Sequence, residues 1–272
     1  MYNNSKIVTF CQYMPKKDLV SIIIPVYNQA DELKKSLDSL LSQTYEDYEV
    51  IVVNDGSTDT SAQVLDEMKH KFWELKIRFK IIYQSNSGSN AARNRGFEEI
   101  RASLFHPRGG GEEYIIFWDA DIIAKPEMLE KMHNVLLEYP EASYAYSSFI
   151  FGKKKFKLWN FDAKKLKQMP YVHTTSLIRK KHFPGWDENI KRLQDWDLYL
   201  TMLSQGHVGV WISEYLFTVL TKHGTMSSWV PKILYKIPVF KKEEVKKYKE
   251  AVDIIKHKHQ ITNNKSQAKS KF

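Results

Sequence analysis

The sequence predicts an α/β protein with a mostly parallel central sheet and helices on both faces. Short apolar runs rich in Val and Ile are typical of strands that are buried on both faces. Amphipathic helical segments alternate with these runs, which favours parallel strands joined by helical crossovers. Polar clusters follow the strands, at the edge where such sheets bind ligands.

The predicted elements alternate regularly over the first half of the chain. Apolar runs predict strands over 19–26, 48–53, 79–83 and 114–118. Apolar residues at helical spacing predict helices over 31–42, 58–69, 89–100 and 126–138, with Pro126 in the first turn of the last. Beyond residue 151 the pattern is less regular and predicts a strand over 174–178 and a helix over 196–203.

Composition excludes several classes of protein. The 272 residues are 43% hydrophobic and 27% charged, which is typical of a globular chain and not of a disordered or collagen-like one. Cys11 is the single cysteine, so no intrachain disulfide forms, which fits a reducing compartment. No apolar run approaches the ~18 residues of a membrane-spanning helix. We therefore expect a cytoplasmic protein, with peripheral contact to the cytosolic membrane face as an option.

Positive charge is concentrated at the C-terminal end. Residues 229–272 contain 12 Lys and 4 acidic residues, a net charge of +8 out of the total +9. A body this close to neutral argues against nucleic-acid binding. Lysines interleaved with aromatic residues are typical of a segment on an anionic membrane surface, but also of a helix that packs on the domain.

The changes in hydrophobic pattern and in charge along the sequence divide the chain into three parts. We expect an N-terminal extension over 1–18, a domain over 19–228 and a basic C-terminal helix and tail over 229–272. Within the domain, 19–123 is expected to bind the ligand and 124–228 to carry the second half of the site.

Two acidic clusters follow predicted strands. Asp55 begins an Asp-Gly-Ser sequence, which is either a ligand position or an ordinary turn. Asp119 and Asp121 form an Asp-x-Asp pair after an apolar strand. Such a pair suits Mg²⁺ or Mn²⁺ together with phosphate oxygens, and the alternative is a solvated strand end.

Taken in order, these motifs resemble the family 2 glycosyltransferases, which have the GT-A fold. The resemblance spans about residues 20–228 and rests on SIIIPVYNQADELKKSLDSLLSQTYEDYEVIVVNDGSTD, NSGSNAARNRG, FWDAD, RLQDWDLYLTMLSQG and LTKHGTMS. It implies a Rossmann-like nucleotide-sugar-binding half and a smaller acceptor-side half.

The resemblance also implies roles for individual residues. Those expected to bind the nucleotide sugar are Pro25, Tyr27, Asn28, Asp55, Gly88, Arg93, Asn94 and Asp119. The expected metal-binding residues are Asp119, Asp121 and His223, with Asp121 favoured as the direct ligand of Mn²⁺ or Mg²⁺. A guanidinium at Arg93 also suits phosphate oxygens on its own chemistry.

Asp195 stands where the family has its catalytic base. The residue before it is usually Glu, and here it is Gln194. The alternative for Asp195 is a helix N-cap, and Asp197 is expected in the first helical turn. Gln194 and Trp186 are expected on the acceptor side, with packing in the core as the alternative for the Trp186 ring.

The resemblance implies an inverting transfer of a sugar from a nucleoside-diphosphate sugar, UDP favoured, to an acceptor hydroxyl. The transferase is expected to be of the hexosyl or N-acetylhexosaminyl type, and its acceptor a glycan or lipid-linked saccharide of surface polysaccharide biosynthesis. One alternative is a nucleotidyltransferase, although no Gly-rich basic loop follows the first strand. The other is a degenerate, non-catalytic binding subunit, against which the four retained aspartates argue.

Overall fold

The computed structural model describes residues 18–102, 111–221 and 242–261. Its helices are α1 (Ala30–Leu41), α2 (Ser61–Glu74), α3 (Ser89–Ala102), α4 (Met128–Glu138), α5 (Ala163–Gln168), α6 (Gln194–Ser204) and α7 (Lys242–Lys258). Its strands are β1 (Leu19–Val26), β2 (Tyr48–Asp55), β3 (Arg78–Gln84), β4 (Glu113–Phe117), β5 (Ile122–Ala124), β6 (Tyr144–Phe151), β7 (Lys154–Phe156), β8 (Leu177–Arg179) and β9 (Gly209–Val219). A short 3₁₀ helix covers Lys180–His182.

The first four strands form a parallel sheet in the order β3-β2-β1-β4. β1 and β2 are buried along their whole length, because helices cover both faces of the sheet there. The carboxyl ends of β1, β2 and β4 therefore open at one edge. This part confirms the fold that the sequence predicts.

The second half of the chain extends the same sheet with mixed pairing. β8 runs antiparallel to β4, and β6 runs antiparallel to β8. β6 then pairs in parallel with β9, and β5 runs antiparallel to β9. The expected boundary between the two halves at residue 123 falls inside β5, so the two halves share one sheet among the described residues.

The helices lie on both faces of the sheet, as predicted. α1, α2 and α4 bury their apolar residues in one core, with Leu37, Phe72 and Leu136 fully enclosed. α3, α5, α6 and α7 pack in the other core, through residues such as Leu166 and Ile255. α3 and α6, which carry candidate site residues, therefore lie on the same face.

The start of α4 and the C-terminal segment are the two places where the structure bears on more local expectations. Pro126 is not in the first turn of α4, because Glu127 is the N-cap and the helix begins at Met128. The Pro126 carbonyl instead accepts a hydrogen bond from the Thr44 backbone N–H at 2.9 Å. Helix α7, in the basic C-terminal segment, packs on the domain through Ile255. The rest of that segment, 229–241 and 262–272, lies outside the described residues.

Within the described ranges, no helix has both the length and the apolar character needed to cross a bilayer.

Candidate functional site

Asp55, at the end of β2, organises the loop that leads into α3. One carboxylate oxygen accepts hydrogen bonds from Gln84 Nε2 and from the Ser87 backbone N–H, both at 2.8 Å. The other accepts from the Gly88 backbone N–H, also at 2.8 Å. Gly88 has a φ of +93°, which glycine adopts readily. Asp55 is 3% exposed, so its carboxylate fixes the loop beside the cleft, which is the region between the carboxyl ends of β1, β2 and β4 and the start of α6.

The loop after β1 is tied to the loop after β2. Asn28 has a φ of +53°, and its side-chain oxygen accepts from the Thr58 backbone N–H at 2.8 Å. The Asn28 backbone N–H donates to Ser57 Oγ at 3.1 Å. Pro25 lies within buried β1, while the Tyr27 ring is 47% exposed at the cleft edge. Tyr27 is therefore accessible to a ligand, whereas Pro25 and Asn28 shape the backbone.

Arg93 projects from α3 to the end of β4. Its Nη2 donates to Asp119 Oδ1 at 2.7 Å, and its Nη1 donates to Asn90 Oδ1 at 3.1 Å. The guanidinium carbon lies 4.7 Å from the centre of the Trp186 ring, as in a cation–π contact. Nε of this buried side chain has no partner among the described residues. Arg93 and Asp119 therefore form an ion pair at the end of β4.

Asn94 and Trp186 hold the loop before α6 against α3. Asn94 Nδ2 donates to the Trp186 carbonyl at 2.9 Å, and the Trp186 backbone N–H donates to Asn94 Oδ1 at 3.0 Å. The Trp186 ring is 5% exposed and packs edge-on against Phe117. The ring is thus packed in the core against Arg93 and Phe117, which is the alternative given for Trp186, and its placement on the acceptor side stays a prediction.

Asp119 and Asp121 lie together after β4, as the sequence predicts. Burial, and next the negative charge of Asp119, raise the pKa of Asp121 to about 7. No hydrogen-bond partner for the Asp121 side chain exists among the described residues apart from its own backbone. A buried carboxyl with its oxygens available beside a second carboxylate suits a hard divalent cation.

Asp119 and Asp121 are the two candidate metal ligands among the described residues. The described part of the chain has no cluster of three or more His, Cys, Asp or Glu side chains that would hold a metal. His223, the third expected ligand, lies outside the described residues. Asp119 and Asp121 thus offer two carboxylates of the kind that Mg²⁺ and Mn²⁺ prefer as ligands.

Asp195 lies in the first turn of α6. Leu193 is the N-cap, with a left-handed φ of +58°, so the N-cap alternative for Asp195 is wrong. Burial raises the pKa of Asp195 to about 6, against the Trp196 backbone N–H and the charge of Arg93, which lower it. Asp119 also acts electrostatically on Asp195. A carboxyl of this kind is ionised near neutral pH and still basic enough to take a proton.

The neighbours of Asp195 contact both α3 and α7. Gln194 Nε2 donates to Ser89 Oγ at 3.1 Å, and Gln194 Oε1 lies 3.5 Å from Arg93 Nη1. Asp197 lies in the first turn as expected, is 3% exposed and pairs with Lys258 and His259 of the C-terminal segment. Gln194 is therefore held at the interface with α3.

His173 is a residue near Asp119 and Arg93 that the motifs did not indicate. Its ring packs beside the stacked rings of Phe149 and Phe217, with centroids 5.0 and 5.1 Å away. Burial lowers the pKa of His173 to about 4, and Asp119 and Arg93 also act on it. Nδ1 accepts the Thr175 backbone N–H at 3.1 Å, so the neutral ring carries its proton on Nε2. Only the folding of β6 and β9 brings these aromatic rings together, which a local motif cannot reveal.

The sheet order and this cleft define a GT-A fold. Staphylococcus aureus TarS 1–349 in complex with UDP-GlcNAc superimposes with a TM-score of 0.62 at 17% identity, covering 93% of this chain and 76% of that chain. The mannosyltransferase PcManGT from Pyrobaculum calidifontis, in complex with GDP-Man and Mn²⁺, gives 0.59 at 15% identity and covers 79% and 60%.

The sequence profile of Glycosyl transferase family 2 matches residues 21–189, which is more than half of the chain. The chain therefore belongs to glycosyl transferase family 2. Streptococcus pneumoniae glycosyltransferase GlyA is 36% identical over 122 residues, covering 45% of this chain and 16% of that protein. The uncharacterized glycosyltransferase YibD of Escherichia coli is 32% identical over 125 residues, covering 46% and 32%. The chain thus aligns with less than a third of the length of either relative.

Proposed function

We propose that this protein transfers a sugar from a nucleoside-diphosphate sugar to an acceptor hydroxyl, with inversion at the anomeric carbon. The observation that carries the proposal is the set of contacts joining the first turn of α6 to the end of β4: Gln194 Oε1, beside Asp195, lies 3.5 Å from Arg93 Nη1, and Arg93 Nη2 donates to Asp119 Oδ1 at 2.7 Å. A base suited to an acceptor hydroxyl and carboxylates suited to the donor therefore share one cleft.

Asp195 is the general base of the proposed reaction. Its carboxylate takes the proton of the acceptor hydroxyl as that oxygen attacks the anomeric carbon from the face opposite the diphosphate. One displacement forms the new glycosidic bond and breaks the bond to the diphosphate, so the anomeric configuration inverts. The dipole of α6 favours the ionised form of Asp195 in its first turn.

The donor site is formed by the ends of the parallel strands. The loop that Asp55 fixes and the exposed Tyr27 ring would bind the nucleoside, with Gly88 leaving open space beside its backbone. Asp119 and Asp121 would hold Mn²⁺ or Mg²⁺. A bound divalent cation would stabilise, as a Lewis acid, the negative charge of the departing nucleoside diphosphate.

Arg93 contributes indirectly to donor binding. Its guanidinium is committed to Asp119 and Asn90. It therefore orients the Asp119 carboxylate and offsets part of the charge, while its unpartnered Nε remains for a further acceptor. Asn94 positions the loop before α6, because its Nδ2 donates to the Trp186 carbonyl and to Glu188 Oε1.

The identity of the donor rests on relatives of the same fold. TarS is described with UDP-GlcNAc, and PcManGT with GDP-Man and Mn²⁺. We favour a UDP-sugar, and an acceptor that is a glycan or a lipid-linked saccharide of surface polysaccharide biosynthesis. Membership of glycosyl transferase family 2 supports sugar transfer over nucleotidyl transfer. The raised pKa of Asp195 supports a catalytic protein over a non-catalytic binding subunit.

Thermal unfolding with nucleotides tests the donor half of the proposal. The purified protein is unfolded with UDP, GDP, dTDP, CDP or ADP, each with and without Mn²⁺. A nucleotide at 100 times its Kd adds about 2.7 kcal/mol to the free energy of unfolding. We expect one nucleotide, UDP, to raise the melting temperature only when Mn²⁺ is present. No rise with any of the five nucleotides would contradict the proposed donor site.

A further inference from the structure

The C-terminal helix α7 lies beyond residues 21–189, which the family profile matches, yet its end contacts the candidate site. Ile255 is fully buried and Ala251 is 8% exposed, so one face of α7 packs into the core that α3 and α6 share. This packing brings the last turn of α7 to the start of α6. There, Lys258 and His259 make polar contacts with α6 and with the loop that precedes it.

Asp197 receives the first of these contacts. Lys258 Nζ lies 2.8 Å from the Asp197 carboxylate, and His259 Nε2 lies 2.8 Å from Asp197 Oδ1. Asp197 is 3% exposed and stands two residues after Asp195. A buried carboxylate without a partner is strongly unfavourable, so the Asp197–Lys258 pair fixes the first turn of α6 in place.

Lys258 also contacts the loop that precedes α6. The same ammonium donates to Asp187 Oδ2 at 2.7 Å. The Asp187 carbonyl accepts from Asn90 Nδ2 at 2.8 Å, and Asn90 in turn receives the hydrogen bond from Arg93. A continuous series of hydrogen bonds therefore runs from α7 to Arg93, which pairs with Asp119.

We propose that Lys258 is a positioning residue for the base: from outside the family-matched region, it sets the orientation of Asp195 relative to the Arg93–Asp119 pair. The proposal rests on the proposed sugar transfer. Lys258 touches no reacting atom. It acts by holding Asp197 and Asp187 at once, which fixes the α6 turn and the loop before it as one unit.

The test compares Lys258→Met with Lys258→Arg in the full-length protein. Methionine keeps most of the stem and removes the charge, whereas arginine restores a cation of similar reach. Lys249→Met is the matched control, because Lys249 is exposed on the same helix. Sugar transfer, pH profile and thermal stability are measured for each variant.

We expect Lys258→Met to lower kcat by about ten- to a hundredfold, as displacement of catalytic groups does, with the KM for the donor little changed. The acid limb of its pH profile should move to higher pH, because loss of the Lys258 cation leaves His259 as the remaining described partner of Asp197, and the charge of Asp197 near Asp195 is offset less. Arg93, Asp119 and Tyr199 face Asp195 in every variant, so the movement reports on the Lys258–Asp197 pair. Lys258→Arg should restore most of the rate.

A merely structural role for Lys258 would lower the melting temperature without moving the acid limb, and that result overturns the proposal. So does a kcat for Lys258→Met equal to that of Lys249→Met. Amide hydrogen exchange distinguishes failure of the Lys258 proposal from failure of the proposed sugar transfer. If the wild type transfers no sugar, the proposed function is contradicted, but faster exchange at amides 194–198 in Lys258→Met, and not in Lys249→Met, still supports positioning. Unchanged exchange there overturns it.

Discussion

Arg93 Nη2 lies 2.7 Å from Asp119 Oδ1, and both side chains act on the carboxyl of Asp195 with opposite sign. Burial is the largest influence on the pKa of Asp195 and raises it, while the charge of Arg93 lowers this pKa and the charge of Asp119 raises it. The contact between α3 and the end of β4 therefore affects the carboxyl on α6 that we propose as the base. In the proposed function, this contact couples the donor side of the site to the acceptor side.

The first prediction concerns pH. Asp195 must be ionised to accept a proton, and its pKa is raised to about 6 by burial. We expect kcat/KM, at saturating metal, to fall about tenfold per pH unit below pH 6. Initial rates measured from pH 4.5 to 8 check this expectation. A rate that stays constant down to pH 4.5 would show that a group of pKa near 6 is not required.

The second prediction concerns metal affinity. Protons compete with a cation for Asp121, whose pKa is raised to about 7 by burial and by Asp119. The Mn²⁺ affinity should therefore weaken by up to about tenfold per pH unit below pH 7. Titration of Mn²⁺ in the presence of UDP, at several pH values, measures it.

Asp121→Asn is the companion variant, because the amide keeps the shape and removes the charge. It should bind Mn²⁺ weakly, and the residual affinity should no longer follow the pKa near 7. A variant whose Mn²⁺ titrations match those of the wild type at every pH would rule out Asp121 as a ligand.

The third prediction concerns Asp55. Its carboxylate accepts three hydrogen bonds, including those of the Ser87 and Gly88 backbones. Asp55→Asn places an amide N–H against one of these donors and should lower the free energy of unfolding by about 1–3 kcal/mol. Chemical denaturation measures the change. Asp31→Asn, at an exposed position in the first turn of α1, is the control.

The same variant should lose nucleotide binding by more than its stability loss explains, since the loop beside Gly88 is no longer fixed. Full stability together with wild-type nucleotide affinity would show that Asp55 has neither role.

Long, strongly patterned elements were predictable from the sequence. The apolar run of β1 lies between two other strands and beneath helices, so its bounds of Leu19–Val26 match the predicted 19–26. β5, β7 and β8 have three residues each, too few to show a period. α5 has six residues and is nucleated by Asp162, which accepts from the Lys164 and Lys165 backbone N–H groups. Such elements form because of their tertiary neighbours.

The candidate site likewise contains residues that sequence motifs indicate and contacts that only the folded structure reveals. Asp55, Asp119, Asp121 and Asp195 follow motifs, so the sequence located them, although their roles stay predictions. The pairing of Lys258 with Asp197 joins residues 61 positions apart and leaves no local signal. Core packing of Trp186 was one of the sequence-based alternatives, but its partners Phe117 and Arg93 were not predictable, because they come from other elements. Their contacts depend on the packing of α3 against the sheet.

The most direct test of the central claim is the sugar-transfer rate of Asp195→Asn, measured beside its affinity for UDP and Mn²⁺. The account predicts a loss of transfer of at least about a hundredfold with unchanged UDP affinity. It also predicts equal or greater stability above pH 6, because burial raises the pKa of Asp195 and thereby disfavours the native state when this carboxyl is ionised. Transfer by Asp195→Asn at the wild-type rate would contradict the assignment of the base and with it the proposed mechanism.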